Sequence, residues 1–246
     1  MEDNSRELNL LTYFVVFFTF YHVIARFGLA VDLQWHTDVG RDKLLTPPHL
    51  MIFSGIIPTM IFLASYIFWH SFVKNATDHG MNVWIFSAPV PIWIILSGMI
   101  TLILGGLYDD LWHSSYGVDT TIITPPHIWT FAGGMIVELA TIILALKIKQ
   151  YKGTNHRLLN LSMLFTMWAL VYHLHLAFAN FLDPRVWVVE LMGMEIILHF
   201  IFAGSALLIM LPIMRAIAGD NGIISLAALL LASQILFIIL VPQLVD

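Results

Sequence analysis

The sequence contains no cysteine and few charged residues. Of its 246 residues, 11% are charged and 59% are hydrophobic, and the mean hydropathy is +0.85. Without thiols the chain can form no disulfide, no iron–sulfur cluster and no copper site with thiolate ligands. It has no basic patch of the kind that binds nucleic acid, no low-complexity tract and no stretch polar enough for a soluble domain. These absences leave an integral membrane protein as the class to consider.

Apolar runs long enough to cross a bilayer, about 20 residues, recur along the whole sequence. They predict an all-α, polytopic bundle of about seven transmembrane helices, which forms a single transmembrane domain over residues 1–246. The lipid bilayer is therefore the first expected partner. The expected helices are residues 10–31, 48–73, 83–107, 126–148, 159–181, 187–214 and 222–243.

Two polar passages resemble each other and indicate an internal duplication. The first runs from Asp32 to His49 and the second from Asp109 to His127. With one extra residue allowed in the second, Asp, Trp, His, Gly, Asp, Thr, Pro, Pro and His coincide, and Phe53 and Gly55 beyond them match residues 131 and 133. The predicted repeats are residues 10–73 and 83–148, followed by C-terminal helices over 159–243. Both passages follow an odd-numbered helix, so helices one and two are repeated in parallel as helices three and four.

The first passage brings a carboxylate and two imidazoles within reach of one another. Asp32 and His36 lie four residues apart, which puts them on one face of a helix. Gly40 is expected to end that helix. Thr46, followed by two prolines, is expected to cap the start of the next, so His49 lies in its first turn. We refer to Asp32, His36 and His49 as the first trio.

The second passage repeats this arrangement with Asp109, His113 and His127, the second trio. Two histidines and one carboxylate form a three-ligand set with a position left for water or substrate, which suits iron(II), zinc or copper. The alternative is structural, because a histidine near a membrane surface is often only an interfacial polar group, and Thr-Pro-Pro is a common helix start. Two copies with the same ligand types favour metal binding. The predicted metal ligands are Asp32, His36, His49, Asp109, His113 and His127.

Lysine and arginine are distributed unequally between the two predicted sides of the membrane. Seven lie on one side, which the positive-inside rule predicts to be cytoplasmic, and three lie on the other among many aspartates. The N-terminus is then cytoplasmic, and both trios are at the extracytoplasmic face. The seven are Arg6, Lys74, Lys147, Lys149, Lys152, Arg157 and Arg215, and the three are Arg41, Lys43 and Arg185.

Other ionisable residues fall within or near the predicted spans. His22 is interpreted as a functional group or as one paired with a neighbouring helix, and Glu138 as protonated or paired. His70, at the inner boundary, is expected to be a plain interfacial residue. Residues 195 and 199 would share one face of predicted helix six. In the outer half a hydrogen-bonded network is favoured over a further metal site or a proton path for His173, His175, Glu190, Glu195 and His199.

As a pair, the two motifs resemble those of the C subunit of the copper membrane monooxygenases, the particulate methane and ammonia monooxygenase family. That subunit carries Asp-x3-His-x12-His, with Trp before the first His and Thr-Pro-x-His at its end, and the first trio fits this pattern. Its other motif is Asn-x3-His-x13-His, and the second trio matches that spacing with Asp109 in place of Asn. The resemblance covers predicted helices one to four, somewhat over half of the chain.

The resemblance implies that both trios bind copper in the membrane-embedded part of an oxygenase, and that one of them is a candidate for oxygen activation. It also implies companion membrane subunits, including one with cupredoxin domains, and a small apolar or gaseous substrate together with O2. The expected function is therefore a copper-binding subunit of a monooxygenase-like complex. Ligand type alone leaves iron and zinc as alternative metals.

Three other functions stay open from the sequence. A non-catalytic carrier or assembly protein could store or pass copper at the outer face. A b-type cytochrome subunit could hold haem between a pair such as His22 and His199, although this gives no reason for two Asp-x3-His motifs. A purely structural protein could use His–Asp hydrogen bonds in its outer loops.

Overall fold

The computed structural model describes residues 2–40, 45–74, 80–117, 124–152, 156–181, 188–191 and 194–245. Three of the basic residues used to predict the orientation lie outside these ranges, namely Arg41, Lys43 and Arg185. The side chains of His175, Glu190, Glu195 and His199 also lie outside the described part of the chain, so the network predicted for them stays a prediction.

Six α-helices make up most of the described chain. A π-helical turn, Trp69–Val73, continues the second helix, and the sixth is broken at Gly219. The φ of Gly219 is 70°, a left-handed value that glycine adopts without steric cost, and the two arms of this helix correspond to predicted helices six and seven. The helices are α1 (Glu2–Asp38), α2 (Pro47–Phe68), α3 (Val90–Tyr116), α4 (Pro125–Lys152), α5 (Arg157–Phe181) and α6 (Leu198–Val245). Two antiparallel hairpins join β1 (Met81–Val83) to β2 (Phe86–Ala88) and β3 (Val188–Leu191) to β4 (Met194–Ile197).

Five described helical segments are long and apolar enough to cross a membrane. Large apolar side chains such as Phe17, Phe20 and Ile61 remain exposed on these segments, which is the surface that a bilayer would cover. The expected architecture of apolar membrane-spanning helices is confirmed at this level, whereas the count of seven spans and the duplication stay predictions. The five segments are Ser5–His36, Pro47–Val73, Val90–Tyr116, Pro125–Lys152 and Gly219–Val241.

The third helix begins later and ends later than the sequence predicts. A helix was expected over residues 83–107, but the first part of this range forms the β1–β2 hairpin, and α3 begins at Val90. Pro89 and Pro91 flank that start, because proline is tolerated in the first turn and not in a helix interior. The helix then continues through the glycines at 105–106 to Tyr116, so the polar residues of the second motif lie on the helix itself.

The predicted start of the sixth helix at residue 187 is wrong. Residues 188–191 and 194–197 form the β3–β4 hairpin, and the helix begins at Leu198. The paired strands contain Val188, Val189, Ile196 and Ile197, and these β-branched residues favour strands over helices. Residues 195 and 199 therefore do not share a helical face.

Glycines bring α1 close to α2 and α3 close to α4 at equivalent places. A Cβ added to Gly28 of α1 would lie 2.7 Å from α2, and one added to Gly105 of α3 would lie 2.5 Å from α4. Gly55 of α2 and Gly133 of α4 approach the first helix of their pair in the same way, with Cβ contacts of 3.0 Å and 2.5 Å. Small residues allow membrane helices to pack with backbones in contact. Within each of the two pairs, the helices are therefore held close together at matching positions.

The apolar core lies between α1, α2, α3 and α4, where Val15, Leu63, Ile92 and Ile148 are fully buried. A second cluster around Trp168 joins α5 to α6. Lipid is as apolar as these side chains, so close packing and buried hydrogen bonds contribute more to helix association than the hydrophobic effect. The buried polar groups described below therefore matter to the stability of the fold.

Candidate metal centre

The second trio is assembled at the end of α3 and the start of α4. Asp109 Oδ2 lies 3.5 Å from Nε2 of His113, and Asp109 Oδ1 lies 3.3 Å from Nε2 of His127. One ligand atom from each residue lies within 4.8 Å of the other two. Two ligand atoms bound to one tetrahedral ion at about 2.1 Å are about 3.4 Å apart. The observed separations therefore match those around a first-row metal ion.

The second nitrogen of each imidazole is hydrogen bonded away from the trio. His113 Nδ1 lies 2.9 Å from the carbonyl oxygen of Gly117. A carbonyl oxygen only accepts, so Nδ1 carries the hydrogen, and in the neutral ring the lone pair is on Nε2, facing Asp109. His127 Nδ1 lies 3.0 Å from the hydroxyl oxygen of Thr124. Metal-binding histidines generally have such a partner on the other nitrogen, which fixes the orientation of the ring.

Asp109 provides a test of whether these residues fit a metal ion. Its Oδ1 atom is buried and accepts no hydrogen bond from any residue of the described chain. A buried carboxylate oxygen without a donor is costly, and the imidazole nitrogen that faces Oδ1, His127 Nε2 at 3.3 Å, makes no hydrogen bond to it. A cation between the carboxylate and the imidazoles would satisfy all three groups. The donor set therefore fits a metal ion bound by two imidazoles and one carboxylate.

The first trio repeats the arrangement at the end of α1 and the start of α2. Asp32 Oδ2 lies 3.9 Å from Nε2 of His36, and Asp32 Oδ1 lies 3.5 Å from Nε2 of His49. In both trios the same carboxylate oxygen thus faces the histidine of its own helix, and the other oxygen faces the histidine of the next helix. The first trio is wider. Among the described residues, only the second trio has one ligand atom of each residue within 4.8 Å of the other two.

The two trios lie side by side. The ring centroids of His36 and His113 are 6.3 Å apart, and the rings are inclined by 25°. A phenylalanine also packs against the last histidine of each trio: Phe53 lies 6.2 Å from His49, and Phe131 lies 6.3 Å from His127. The six predicted ligands therefore form one cluster at one end of four helices, which we call the trio end of the bundle.

The turns next to the trios are set by glycines with left-handed backbones. Gly40 follows α1 with φ 92°, and Gly117 follows α3 with φ 87°. The N–H of Gly117 donates to the carbonyl oxygen of His113 at 3.0 Å, and the N–H of Gly40 to that of Trp35 at 3.1 Å. The prediction that Gly40 ends α1 is confirmed. Thr46 precedes α2 with an extended backbone, φ −80° and ψ 159°, as a residue at the N-cap position does.

Glu138 is the centre of a buried polar cluster between α1, α4 and α5. Its Oε1 lies 2.7 Å from His22 Nε2, and its Oε2 lies 2.8 Å from His173 Nδ1. Arg26 contacts Glu138 Oε1 at 3.2 Å and also contacts both histidines. Glu138 is therefore paired, which is one of the two states expected from the sequence, and His22 pairs with Glu138 of the neighbouring helix α4. We call these four residues the Glu138 cluster.

The Glu138 cluster adjoins the second trio through one aromatic ring. Phe131 packs edge-on against His173 with ring centroids 6.0 Å apart, and its other neighbour is His127 of the trio. A cavity of about 80 Å³ borders His22, His173 and Phe131. The buried ion pair and the candidate metal centre thus belong to one continuous set of polar and aromatic side chains.

His70 is not the plain interfacial residue that the sequence suggested. Its side chain is buried, its Nδ1 lies 3.0 Å from the carbonyl oxygen of Ser87, and its Nε2 lies 3.7 Å from Glu7 Oε1. Glu7 also accepts a hydrogen bond from the Tyr66 hydroxyl at 2.6 Å and pairs with Lys74. These residues join the beginning of α1 to the end of α2, at the end of the bundle opposite to the trios.

Some residues that build the site were missed at the level of sequence. Gly28 and Gly105 each lie four residues before the aspartate of a trio, and a comparison of the two predicted repeats further upstream would have found them. Thr124 was matched between the repeats, but its bond to His127 was not anticipated. Comparison with protein-family models, with curated proteins and with solved structures finds no match for this chain. The fold and the site define a helical protein of membrane-spanning character with a candidate metal centre.

Proposed function

We propose that this chain is a metal-binding integral membrane protein whose two trios hold copper, and that it acts as a subunit of a monooxygenase-like complex. The main evidence for a metal site is the geometry of the second trio. The Nε2 atoms of two imidazoles face one carboxylate, each Nδ1 is bonded away from it, and Asp109 Oδ1 accepts no hydrogen bond within the described chain.

Copper is favoured over iron and zinc by the motifs rather than by the geometry. Imidazole and carboxylate ligands suit all three metals, and the sequence has no cysteine for a thiolate site. The paired spacings resemble those of the copper membrane monooxygenases, and an extracytoplasmic location would allow copper to be taken up outside the cytoplasm. Iron or zinc in the purified protein would support the proposed metal site but would refute its assignment to copper.

The residues of the chain supply the holding and orienting part of the proposed chemistry. Asp109, His113 and His127 would hold the ion together, while Gly117 and Thr124 keep the two rings turned toward it. The chemistry that bound copper supplies at such a site is activation of O2 against a small apolar substrate. Companion membrane subunits, one of them with cupredoxin domains, belong to the same proposal.

The proposed orientation places the N-terminus in the cytoplasm and both trios at the extracytoplasmic face. It rests on the distribution of lysine and arginine. Lys74 pairs with Glu7, and Lys152 Nζ donates to the side chain of Asn9 at 2.5 Å. These basic residues therefore lie where α1 begins, which is the end of the bundle opposite to the trios.

A second candidate function is that of a non-catalytic membrane carrier or assembly protein for copper. It is favoured by the accessibility of the second trio, since the side chains of Asp109 and His127 are 22% and 27% exposed. A carrier needs to exchange its metal with a partner, so a chelator in solution should remove it within minutes. The cytochrome alternative is disfavoured, because His22 Nε2 is bonded to Glu138 instead of being directed at a haem iron.

The proposal is tested by the metal content of detergent-purified protein. We expect one to two copper ions per chain, stepwise loss in His36→Ala and His113→Ala, and no loss in the matched control His156→Ala, which lies outside the trios. Electron paramagnetic resonance of the cupric protein should show nitrogen hyperfine structure that weakens in the same variants. A wild-type protein without any metal, with both trio variants as stable as wild type, would show that the trios are structural.

A further inference from the structure

The hairpin between α2 and α3 carries a tryptophan where glycine is the usual residue. Val83 pairs with Phe86, so Trp84 and Ile85 form a two-residue turn. Trp84 has φ 56°, and it is the one non-glycine residue of the described chain with positive φ. In such turns a positive φ at the first position is normally provided by glycine, and a bulky side chain there strains the backbone. Strain of this kind persists where function or surroundings demand it.

The strained residue is also almost fully exposed. Trp84 has 90% of its surface accessible, and its neighbours Met81, Val83 and Ile85 are exposed as well. Residues 80–108 contain no charged side chain, so the tip of the hairpin is uncharged, and Asn82 is the one polar residue among the otherwise apolar residues 81–86. A contiguous apolar surface of this kind indicates contact with something other than water.

The hairpin is fixed to the ends of its two neighbouring helices. The N–H of Ser87 donates to Ser71 Oγ at 2.8 Å, and Trp93 Nε1 donates to the carbonyl oxygen of Met81 at 2.8 Å. His70 holds the carbonyl oxygen of Ser87 as described above. Because both strands are anchored, the position of Trp84 is set by the helices and not by movement of a loop.

The helices on either side determine where the tip lies. The hairpin joins the segments Pro47–Val73 and Val90–Tyr116, both of which are long and apolar enough to span a bilayer. It is therefore at the level at which two spanning helices leave the membrane. We infer that Trp84 and Ile85 insert into the bilayer interface, between the lipid headgroups and the acyl chains, and fix the depth of this end of the bundle.

The chemistry of the tip favours lipid over a protein partner. Tryptophan has an amphipathic ring and is enriched at the membrane–water interface. Backbone polar groups of a turn cannot enter the hydrocarbon core unpaired, which limits insertion to the headgroup boundary. Lys152 lies at the same end of the bundle, where its Nζ donates to the exposed side chain of Asn9 and its charge can meet lipid phosphates. A protein partner would be expected to match this lysine with an acidic side chain.

The absence of cysteine allows a direct depth measurement. A spin label on Ile85→Cys, in protein reconstituted into phosphatidylcholine–phosphatidylglycerol vesicles, reports collisions with oxygen, which concentrates in lipid, and with a water-soluble nickel complex. Asp220→Cys, in an exposed ion pair, is the water reference. Ile61→Cys, exposed in the middle of a span, is the lipid reference. We expect the label at position 85 to fall between these two references.

Replacement of Trp84 separates anchoring from folding. Trp84→Gly relieves the strained backbone, so its thermal stability in detergent should equal or exceed that of wild type, while the label at position 85 should move toward the water reference. Trp84→Asn, which also tolerates positive φ, should behave alike. A label that already matches Asp220→Cys in the wild type would overturn the inference. So would a label shielded from both reagents in native membranes but not in vesicles, because that pattern requires a protein partner.

Discussion

The buried ion pair between Arg26 and Glu138 leads to a quantitative prediction. The two side chains are 6% and 0% exposed and lie 3.2 Å apart. Glu138→Gln keeps the shape of the side chain but removes its charge, which leaves the guanidinium of Arg26 buried without a counter-charge. Removing one partner of such a pair costs about 3–5 kcal/mol of the free energy of unfolding. Arg26→Met should cost a similar amount, because it leaves the carboxylate of Glu138 unbalanced.

The double variant should recover most of this loss. With Arg26→Met and Glu138→Gln together no net charge is buried, and the amide oxygen can still accept an N–H from His22 or His173. Uncharged replacements of buried ion pairs are often close to neutral. We therefore expect the double variant to lose at least about 2 kcal/mol less free energy of unfolding than the two single variants lose in sum.

Reversible unfolding of the detergent-solubilised protein by increasing fractions of sodium dodecyl sulfate measures these differences. The matched control is Arg215→Met, which breaks the exposed pair of Arg215 and Asp220, whose side chains are 66% and 75% exposed. Exposed pairs contribute less than about 1 kcal/mol. Single variants at Arg26 and Glu138 that cost no more than this control, or a double variant whose cost is the sum of the singles, would refute the reasoning.

Two further predictions concern packing and the orientation of a ligand. Gly133→Ala places a Cβ 2.5 Å from backbone atoms of α3 and should lower the melting temperature by several degrees. Gly106→Ala has no atom within 4 Å of the added Cβ and should leave the melting temperature unchanged or raise it. Equal effects of the two variants would contradict the close helix contact. Thr124→Val removes the hydroxyl that holds His127 Nδ1 and should weaken metal binding about 10–100-fold without lowering the melting temperature, as measured by competition with a chelator.

The trios could be predicted from the sequence because each is built from local geometry. Asp109 and His113 are four residues apart on one helix, and His127 begins the next, so spacing and helix-end signals suffice to bring the three together. The turn residue Gly117 follows from the same signals. What the spacing could not supply is the contact of His36 with His113, since it depends on how two separate helix pairs pack.

The Glu138 cluster shows the limit of reasoning from the sequence. His22 and Glu138 are 116 positions apart, and Arg26 and His173 are 147 apart. Apolar periodicity specifies that these helices are buried but not which faces meet. The β1–β2 hairpin was missed for another reason. The composition of an uncharged apolar stretch does not distinguish a short strand from the beginning of a membrane helix. Pro89 and Pro91 were the available signals of the boundary.

The placement of the trios has a consequence for the order of assembly during synthesis. Each trio is contained in a single helical hairpin, so its three ligands are together as soon as that hairpin has crossed the membrane. The Glu138 cluster, in contrast, closes only after α5 has been inserted beside α1. If the trios bind metal as proposed, a nascent chain could acquire its first ion while most of the bundle is still unmade, and the ion would join the two helix ends before their long-range partners arrive.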